Sequence, residues 1–350
     1  MFNCKLKVKR NLRQKGIWYM KKFGKRTASV ILALIMILQM MIVSGITAFA
    51  DNETPIVPID DKPEVKINGI NLILNGEIGL VYHVYVPDEF LNGYVVLSCK
   101  EDSVKTNIKD CKDKDLNLRY VFTWHLSAIE LSEKVTITVY DQDDTQLASL
   151  SKSAEDYAKL LLTDEKATEA EKNIAKTLIN YGHYAQLACS EANGWVIGED
   201  YAETTAFNAP TVDTSVFSDY AIDWSTRSGS FGNLSMSLRL DYKTSIMLYI
   251  PVEEKPTVKV NGEEMEAVLS ERVENTYQIE IPGINALCLT DEYTVEINDV
   301  TIKLCAFSYC KLAVQHNKSQ NTIDAMRALY EFYDATDKYL NPVTETEVSK

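Results

Sequence analysis

Ser153-Ala154-Glu155-Asp156-Tyr157-Ala158-Lys159-Leu160-Leu161 and Cys305-Ala306-Phe307-Ser308-Tyr309-Cys310-Lys311-Leu312-Ala313 stand 152 positions apart and carry one pattern. Ala154, Tyr157, Ala158 and Leu161 fall on Ala306, Tyr309, Cys310 and Ala313. This i, i+3, i+4, i+7 spacing lays an apolar stripe along one helical face in each copy. Outward from there the second helix repeats, with Leu178 and Tyr181 on Leu329 and Phe332. Upstream, at a shift of 158, Ala128, Leu131, Val135, Ile137 and Val139 meet Ala286, Leu289, Tyr293, Val295 and Ile297. At a shift of 166, Leu74, Leu80, Tyr82 and Val84 meet Leu240, Ile246, Leu248 and Ile250. The shift changes at turns, where insertions are tolerated. Two copies of about 110 residues are too few and too long for a solenoid, so 72–187 and 238–339 read as related units.

Strand signals come first in each copy and helices last. Val65–Leu74, Ile78–Val86, Tyr94–Cys99, Leu118–Trp124, Val135–Tyr140 and Gln146–Leu150 are rich in β-branched and aromatic residues, and several alternate with period two. Asn75-Gly76, Asn92-Gly93 and Asp143-Asp144 supply turn chemistry between them. In the second copy Thr257–Val260 and Met265–Leu269 read as a hairpin around Asn261-Gly262, followed by strands Tyr277–Ile281 and Tyr293–Ile297. Strands grouped before helices predict an α+β fold of two related units, each an antiparallel sheet or sandwich followed by a two-helix hairpin, and argue against a parallel nucleotide-binding sheet. Ser153 with Asp156 predicts an N-cap, and Glu169–Ala188 presents Ile174, Leu178, Tyr181 and Ala185 on one face.

The first fifty residues read as a signal peptide. Ten Lys and Arg and no acid precede an apolar run from Ala28 to Val43, and Thr47-Ala48-Phe49-Ala50 ends in the small-x-small pattern of a cleavage site. Cleavage is expected after Ala50, and Met20 offers an alternative start with a leader of conventional length. The apolar run is shorter than the ~20 residues of a membrane span, so no span is expected after cleavage. The expected organisation is therefore signal peptide 1–50, flexible tether 51–66, first unit 67–190, ordered connector 191–232, second unit 233–340 and tail 341–350.

Charge and cysteine usage narrow the partners. The whole chain has 36 basic and 50 acidic residues, a net charge of −14, and removing the ten basic leader residues leaves 26 against 50, or −24. Such a surface repels nucleic acid and anionic lipid. Six cysteines follow the leader. Cys305 and Cys310 lie on or beside an apolar helical face and read as small core residues, whereas Cys99 and Cys111 are the pair expected to form a disulfide if their segments are adjacent strands. No C-x-x-C or Cys/His cluster has zinc spacing.

Catalytic chemistry finds little support. His83, His125, His183 and His316 form no H-E-x-x-H or H-x-H arrangement, and no G-x-S-x-G, phosphate-cradling loop or dinucleotide fingerprint occurs. Asp141-x-Asp143-Asp144 and Asp110-x-x-Asp113-x-Asp115 would attract calcium, but each lacks the glycine at six and the acid at twelve of an EF-hand loop. No cofactor is expected, with calcium the one alternative. The connector, rich in Ser, Thr, Asn and Asp, carries Trp195, Phe207, Phe217 and Trp224. Being unique to one place in the chain, it makes Trp195, Phe217 and Trp224 the candidate ligand-binding residues.

Asn71-Leu72-Ile73-Leu74-Asn75-Gly76-Glu77-Ile78-Gly79-Leu80, Val86-Pro87-Asp88-Glu89-Phe90, Tyr157-Ala158-Lys159-Leu160-Leu161 and Ile179-Asn180-Tyr181-Gly182-His183-Tyr184-Ala185-Gln186 together resemble a repeated module of secreted and surface proteins from anaerobic, clostridial-type gut bacteria. The resemblance covers about residues 67 to 340. It departs after Gln186, where the module usually has an aromatic pair and this chain has Leu187-Ala188-Cys189. The module brings no catalytic residues, and the resemblance implies surface display or adhesion. The expected protein is thus non-catalytic, secreted or non-covalently retained at a Gram-positive-type cell surface. Its expected ligand is a protein or glycan outside the cell: a host or surface glycoprotein, with immunoglobulin one specific case. A carbohydrate-binding module and a structural spacer of the cell envelope are the alternatives.

Overall fold

The computed structural model describes residues 63–115, 119–193, 210–220, 234–240, 243–271, 273–316 and 318–342. The expected signal peptide, most of the tether and connector, the tail, Trp195, Phe207 and Trp224 lie outside these residues. The fold is α+β and mostly β. Fifteen strands in four antiparallel sheets and four α-helices occur among the described residues.

In chain order, seven strands come first: β1 (Lys66–Leu72), β2 (Gly79–Tyr85), β3 (Tyr94–Cys99), β4 (Asp102–Asn107), β5 (Tyr120–His125), β6 (Val135–Tyr140) and β7 (Gln146–Lys152). Helices α1 (Ala154–Thr163) and α2 (Glu169–Asn193) follow. Eight strands come next: β8 (Ser235–Leu240), β9 (Thr244–Ile250), β10 (Val258–Val260), β11 (Glu263–Met265), β12 (Val268–Leu269), β13 (Tyr277–Ile284), β14 (Tyr293–Ile297) and β15 (Val300–Leu304). Helices α3 (Ala306–Gln315) and α4 (Gln320–Leu340) close the chain's described part. β1 begins inside the stretch read as a tether, and Val65 before it is already buried.

The sheets have orders β1-β2-β5 and β4-β3-β6-β7, then β12-β13-β9-β8 and β11-β10-β14-β15. In the first half, β2 buries Leu80, Tyr82 and Val84 while β6 buries Val135, Ile137 and Val139. These are alternate residues, so each sheet gives one face to a shared core. The Tyr82 hydroxyl crosses that core and donates to the Val135 carbonyl of the facing sheet at 2.9 Å. Without this acceptor a phenol so deeply buried would cost ~1 to 3 kcal/mol.

Turn residues set the registers. Val260 faces Glu263 across a two-residue loop in which Asn261 and Gly262 both have positive φ, 51° and 82°. That is the geometry whose twist matches two right-twisted strands. The sequence expectation erred just beyond it. Met265–Leu269 is not one strand: Met265 pairs with Val258 in one sheet, and Val268 pairs with Gln278 in the other. Buried Ala267 marks the point where the chain changes sheets.

A pair of helices follows each run of strands in the chain. Ser153 caps α1, its hydroxyl accepting from Asp156 N–H at 3.0 Å while the Asp156 carboxylate accepts from Ser153 N–H at 3.1 Å. α2 lies against the short helical turn Ala128–Glu130, so closely that a Cβ on Gly182 would stand 2.3 Å from Leu131 Cδ1. Ile174, Leu178, Tyr181 and Ala185 are buried as their spacing predicts. They also meet the other half, since α2 packs along α4. Tyr181 stacks on Phe332 at 5.8 Å, and the Ser319 hydroxyl at the start of α4 donates to Glu191 near the end of α2, so the two helices run antiparallel.

Candidate binding surface

Of the aromatic candidates from the connector, Phe217 lies within the described residues, and it is 1 % exposed. It sits in a ring cluster with Phe307 and Tyr330, both at 5.8 Å between centroids, and Tyr220 lies 5.1 Å from Phe307. Burial together with Tyr330 and Tyr333 pushes the Tyr220 phenol up to about 12. The segment is strapped down by α4. Glu331 accepts from Thr211 and Val212 N–H at 2.6 and 3.1 Å, and Arg327 donates to the Val212 carbonyl. Phe217 is therefore a core residue that docks the connector, which corrects its expected role in ligand binding. Its large apolar surface suited either role, and only the neighbouring rings decide between them.

The Cys99–Cys111 disulfide is not formed. Cys99 ends β3, but Cys111 lies beyond β4 and the short helical turn Ile108–Asp110, and the register keeps the two residues apart. Cys99 faces Asp102 at the turn end of the β3–β4 hairpin, while Cys111 follows the opposite end, where Tyr94 faces Asn107. Five steps of strand, roughly 17 Å, separate those ends, against about 6 Å between bridged Cα atoms. Burial pushes the Cys111 thiol up, which disfavours a nucleophilic thiolate.

His83 is built into structure. His83 Nδ1 lies 2.8 Å from Asp115 Oδ2, and Nε2 lies 3.0 Å from Asn71 Nδ2. Arg119 Nε donates to the same Asp115 oxygen at 2.7 Å, and the Tyr157 hydroxyl reaches Asn71 Oδ1. The natural assignment has Nδ1–H donating to Asp115 and Nε2 accepting from Asn71. Both ring nitrogens are then engaged, and the pair pins α1 to the outer face of the β1-β2-β5 sheet. Burial lowers the His83 pKa, and the Asp115 hydrogen bond only partly opposes it.

The acidic turns behave similarly. Asp141 Oδ1 accepts from the Asp143 and Thr145 N–H groups at 2.8 Å each, and Asp144 accepts from the Tyr94 hydroxyl. Asp110 accepts from Asn107 Nδ2. Among the described residues no three His, Cys, Asp or Glu side chains converge as a metal site requires, and no helix is long and apolar enough to cross a membrane. A cavity between the halves, lined by Gly76, Tyr181, Lys243, Leu329 and Phe332, measures about 10 Å³. That is room for one water, far from the ~300 Å³ of a small-molecule site.

One surface stands apart. The large apolar side chains exposed among the described residues are Tyr85, Leu160, Val268, Leu269 and Val273, and the last three lie within six positions, at 47 %, 61 % and 50 %. They belong to β12 and the loop that follows it. β12 is the outermost strand of its sheet and pairs only with β13, Val268 facing Gln278 and Leu269 facing Tyr277. In the stretch 253–274, Glu253, Glu254, Glu263, Glu264, Glu266, Glu271 and Glu274 are all exposed, against Lys255, Lys259 and Arg272 in the same stretch of sequence. Beside β5, an outer strand of the β1-β2-β5 sheet, there is a single bridge, Lys114 to Tyr120, with the Lys114 ammonium 4.2 Å above the Tyr120 ring. The sequence offered a signal for this site: two adjacent apolar residues, Val268 and Leu269, break the alternation expected of a half-buried strand.

Comparison of the chain with known protein families, with curated proteins and with solved structures finds no match.

Proposed function

We propose that this chain is an exported, non-catalytic binding protein that recognises a host or surface glycoprotein, immunoglobulin being one specific case, and that it is a tandem of two related sheet-plus-helical-hairpin modules. The observation that carries the binding reading is the aliphatic edge at Val268, Leu269 and Val273. Water-exposed clusters of this kind on an otherwise polar surface mark sites of association. Export is supported by the basic then apolar leader ending at Ala50, and adhesion by the resemblance to surface-displayed modules.

The duplication is supported by matched registers. Leu72 faces Leu80 and Ile70 faces Tyr82 in β1–β2, while Leu238 faces Ile246 and Met236 faces Leu248 in β8–β9, each residue 166 positions from its counterpart. Tyr181 and Phe332, counterparts in the sequence repeat, stack on each other. A residue that meets its own counterpart is the mark of a two-fold interface.

Binding of the purified protein to an immobilised panel of glycoproteins, immunoglobulin included, each intact and enzymatically deglycosylated, tests the proposal beside a glycan array. Saturable capture of a glycoprotein that survives deglycosylation is expected. Capture on the glycan array alone would replace it with a carbohydrate-binding module, and silence on both would leave the structural spacer.

A further inference from the structure

We infer that the outward face of the β4-β3-β6-β7 sheet is a second binding site, separate from the aliphatic edge, and that it takes a neutral oligosaccharide laid along β6 and β7. The inference goes beyond the protein-binding reading and does not rest on it.

Register defines the face. Val95, Leu97, Val135, Ile137 and Val139 are buried, so the residues that alternate with them in β3 and β6 point outward. Tyr94 pairs with Tyr140, and Thr138 and Thr136 pair with Ser149 and Ser151. Among the described residues of the four strands, Lys105 on β4 is the one charged side chain on this face, and no carboxylate stands on it. The chain as a whole has 50 acidic residues. By contrast, the outward residues of the β11-β10-β14-β15 sheet include Lys259, Glu264, Glu296 and Lys303, the kind of mixed charge by which an exposed surface meets water.

An aromatic face and a row of hydroxyls remain. Tyr94 is covered on both sides, by the Tyr140 ring at 5.0 Å and 19° and by the Lys105 ammonium 3.3 Å from the ring centre. Because β6 lies between β3 and β7, the other face of Tyr140 is turned toward β7, where its neighbour Gln146 is exposed. That half-buried ring face is an apolar surface, matched to the C–H side of a pyranose. Farther along the same two strands, Thr136 Oγ1 donates to Ser151 Oγ at 2.9 Å, and the Thr138 and Ser149 hydroxyls lie 3.1 Å apart. Ser149 donates to the Ile137 carbonyl, so Thr138 is the donor of its pair. Ser151 keeps an O–H to give, and both threonine oxygens keep lone pairs to accept. Tyr140 to Thr136 spans four strand steps, about 14 Å, a track for a short oligosaccharide.

Charge and composition choose the occupant. A polyanion would meet one cation, already engaged with Tyr94, and at the rim Asp144 on the Tyr94 hydroxyl and Asp110 on Asn107. A protein partner needs buried anchors, and Ser, Thr and Val seldom serve as such. Hydroxyls held in fixed directions beside one aromatic face suit a ligand that is itself rich in hydroxyls and uncharged.

Cellohexaose, xylohexaose, mannohexaose and chitohexaose, with sialyllactose and a heparin hexasaccharide as acidic controls, are titrated into the whole protein and followed by amide shift perturbation. At least one neutral hexaose is expected to bind with shifts centred on residues 136–140 and 146–151, and the acidic sugars at least tenfold more weakly. Tyr140→Ala is expected to weaken that binding at least tenfold, and Tyr140→Phe to keep it within about threefold. Thr138→Val and Ser151→Ala are expected to weaken it at least threefold each, with the thermal midpoint within about 2 °C because these side chains lie on the surface. Silence across the neutral hexaoses, shifts centred elsewhere or equal binding of the acidic sugars would overturn the site. A concentration-dependent dimer that Tyr140→Ala abolishes, with no sugar bound, would make the face a contact between copies instead. Capture of deglycosylated glycoprotein is expected to be unchanged in Tyr140→Ala. Its loss there would make the face a protein site and end the glycan reading, whereas sugar binding without any such capture would leave this site standing and remove the protein-binding reading.

Discussion

Gly76 shows how much one position can carry. Its φ of +85° is left-handed, and a Cβ there would stand 2.1 Å from Asn285 Oδ1. Around it Asn285 Nδ2 donates to the Asn75 carbonyl at 2.9 Å, Ala286 N–H donates to the Gly76 carbonyl at 3.0 Å, and Lys243 pairs with Glu77 at 2.8 Å. Gly76→Ala is expected to destabilise by about 2 to 4 kcal/mol, combining backbone strain with displacement of Asn285, read as a lower urea midpoint. Asn75-Gly76 is legible in the sequence as a turn. Its contact with Asn285, far along the chain, is not, because nothing local in either segment specifies the other. His83 gives a pH dependence at the same scale. Its folded pKa lies below the ordinary value through burial, so the fold favours the neutral ring. Stability is therefore fully present above about pH 6.5, the unfolded value, and is lost as pH falls through the folded pKa. His183, lowered by burial, acts with the same sign. Melting scans at pH 7.5 and 5.5 are expected to differ less in His83→Gln than in the parent protein, with the remaining difference due partly to His183.

At the scale of elements, α1 owes its start to a local device. The Ser153 and Asp156 side chains cap each other's backbone, and Lys134 from the start of β6 also holds the Asp156 carboxylate. Ser153→Ala is expected to cost about 1 kcal/mol, measured by chemical denaturation. Burial raises the Asp156 pKa, but Lys134 and Ser153 outweigh it and the net shift is downward. The cap's contribution is accordingly present above about pH 4 and lost as pH falls through the lowered pKa. The cap was legible because it needs only residues three apart. β4 and β12 were not. Asp102-Ser103-Val104-Lys105-Thr106-Asn107 is a polar edge strand with no apolar alternation to reveal it, held by its ladder to β3. β12 has the composition of a strand, but its sheet is chosen by Tyr277 and Gln278 rather than by β10. The split leaves Val268 and Leu269 on an edge.

Across the whole molecule, the two long helices α2 and α4 pack against each other. Leu178 is buried on α2, and placing a carboxylate there without a partner is expected to cost at least about 3 kcal/mol. Leu178→Asp should lower the thermal midpoint sharply or prevent accumulation of folded protein. An unchanged midpoint would contradict the packing of α2. Because Tyr181 of one half stacks on Phe332 of the other, the halves are expected to melt together, with a calorimetric to van't Hoff enthalpy ratio of about 1. Phe332→Asp is expected to split that transition in two. The sequence alone determined the α+β class, the strand-then-helix order, the helical faces and the α1 cap, because period, capping and turn chemistry act over a few residues. Tertiary structure decided that Phe217 is core, that Cys99 and Cys111 lie at opposite ends of a hairpin, and that Val268 and Leu269 form an exposed edge. Each of these depends on which distant segments fill the space beside a residue, and burial is a property of that filled space rather than of the residue itself.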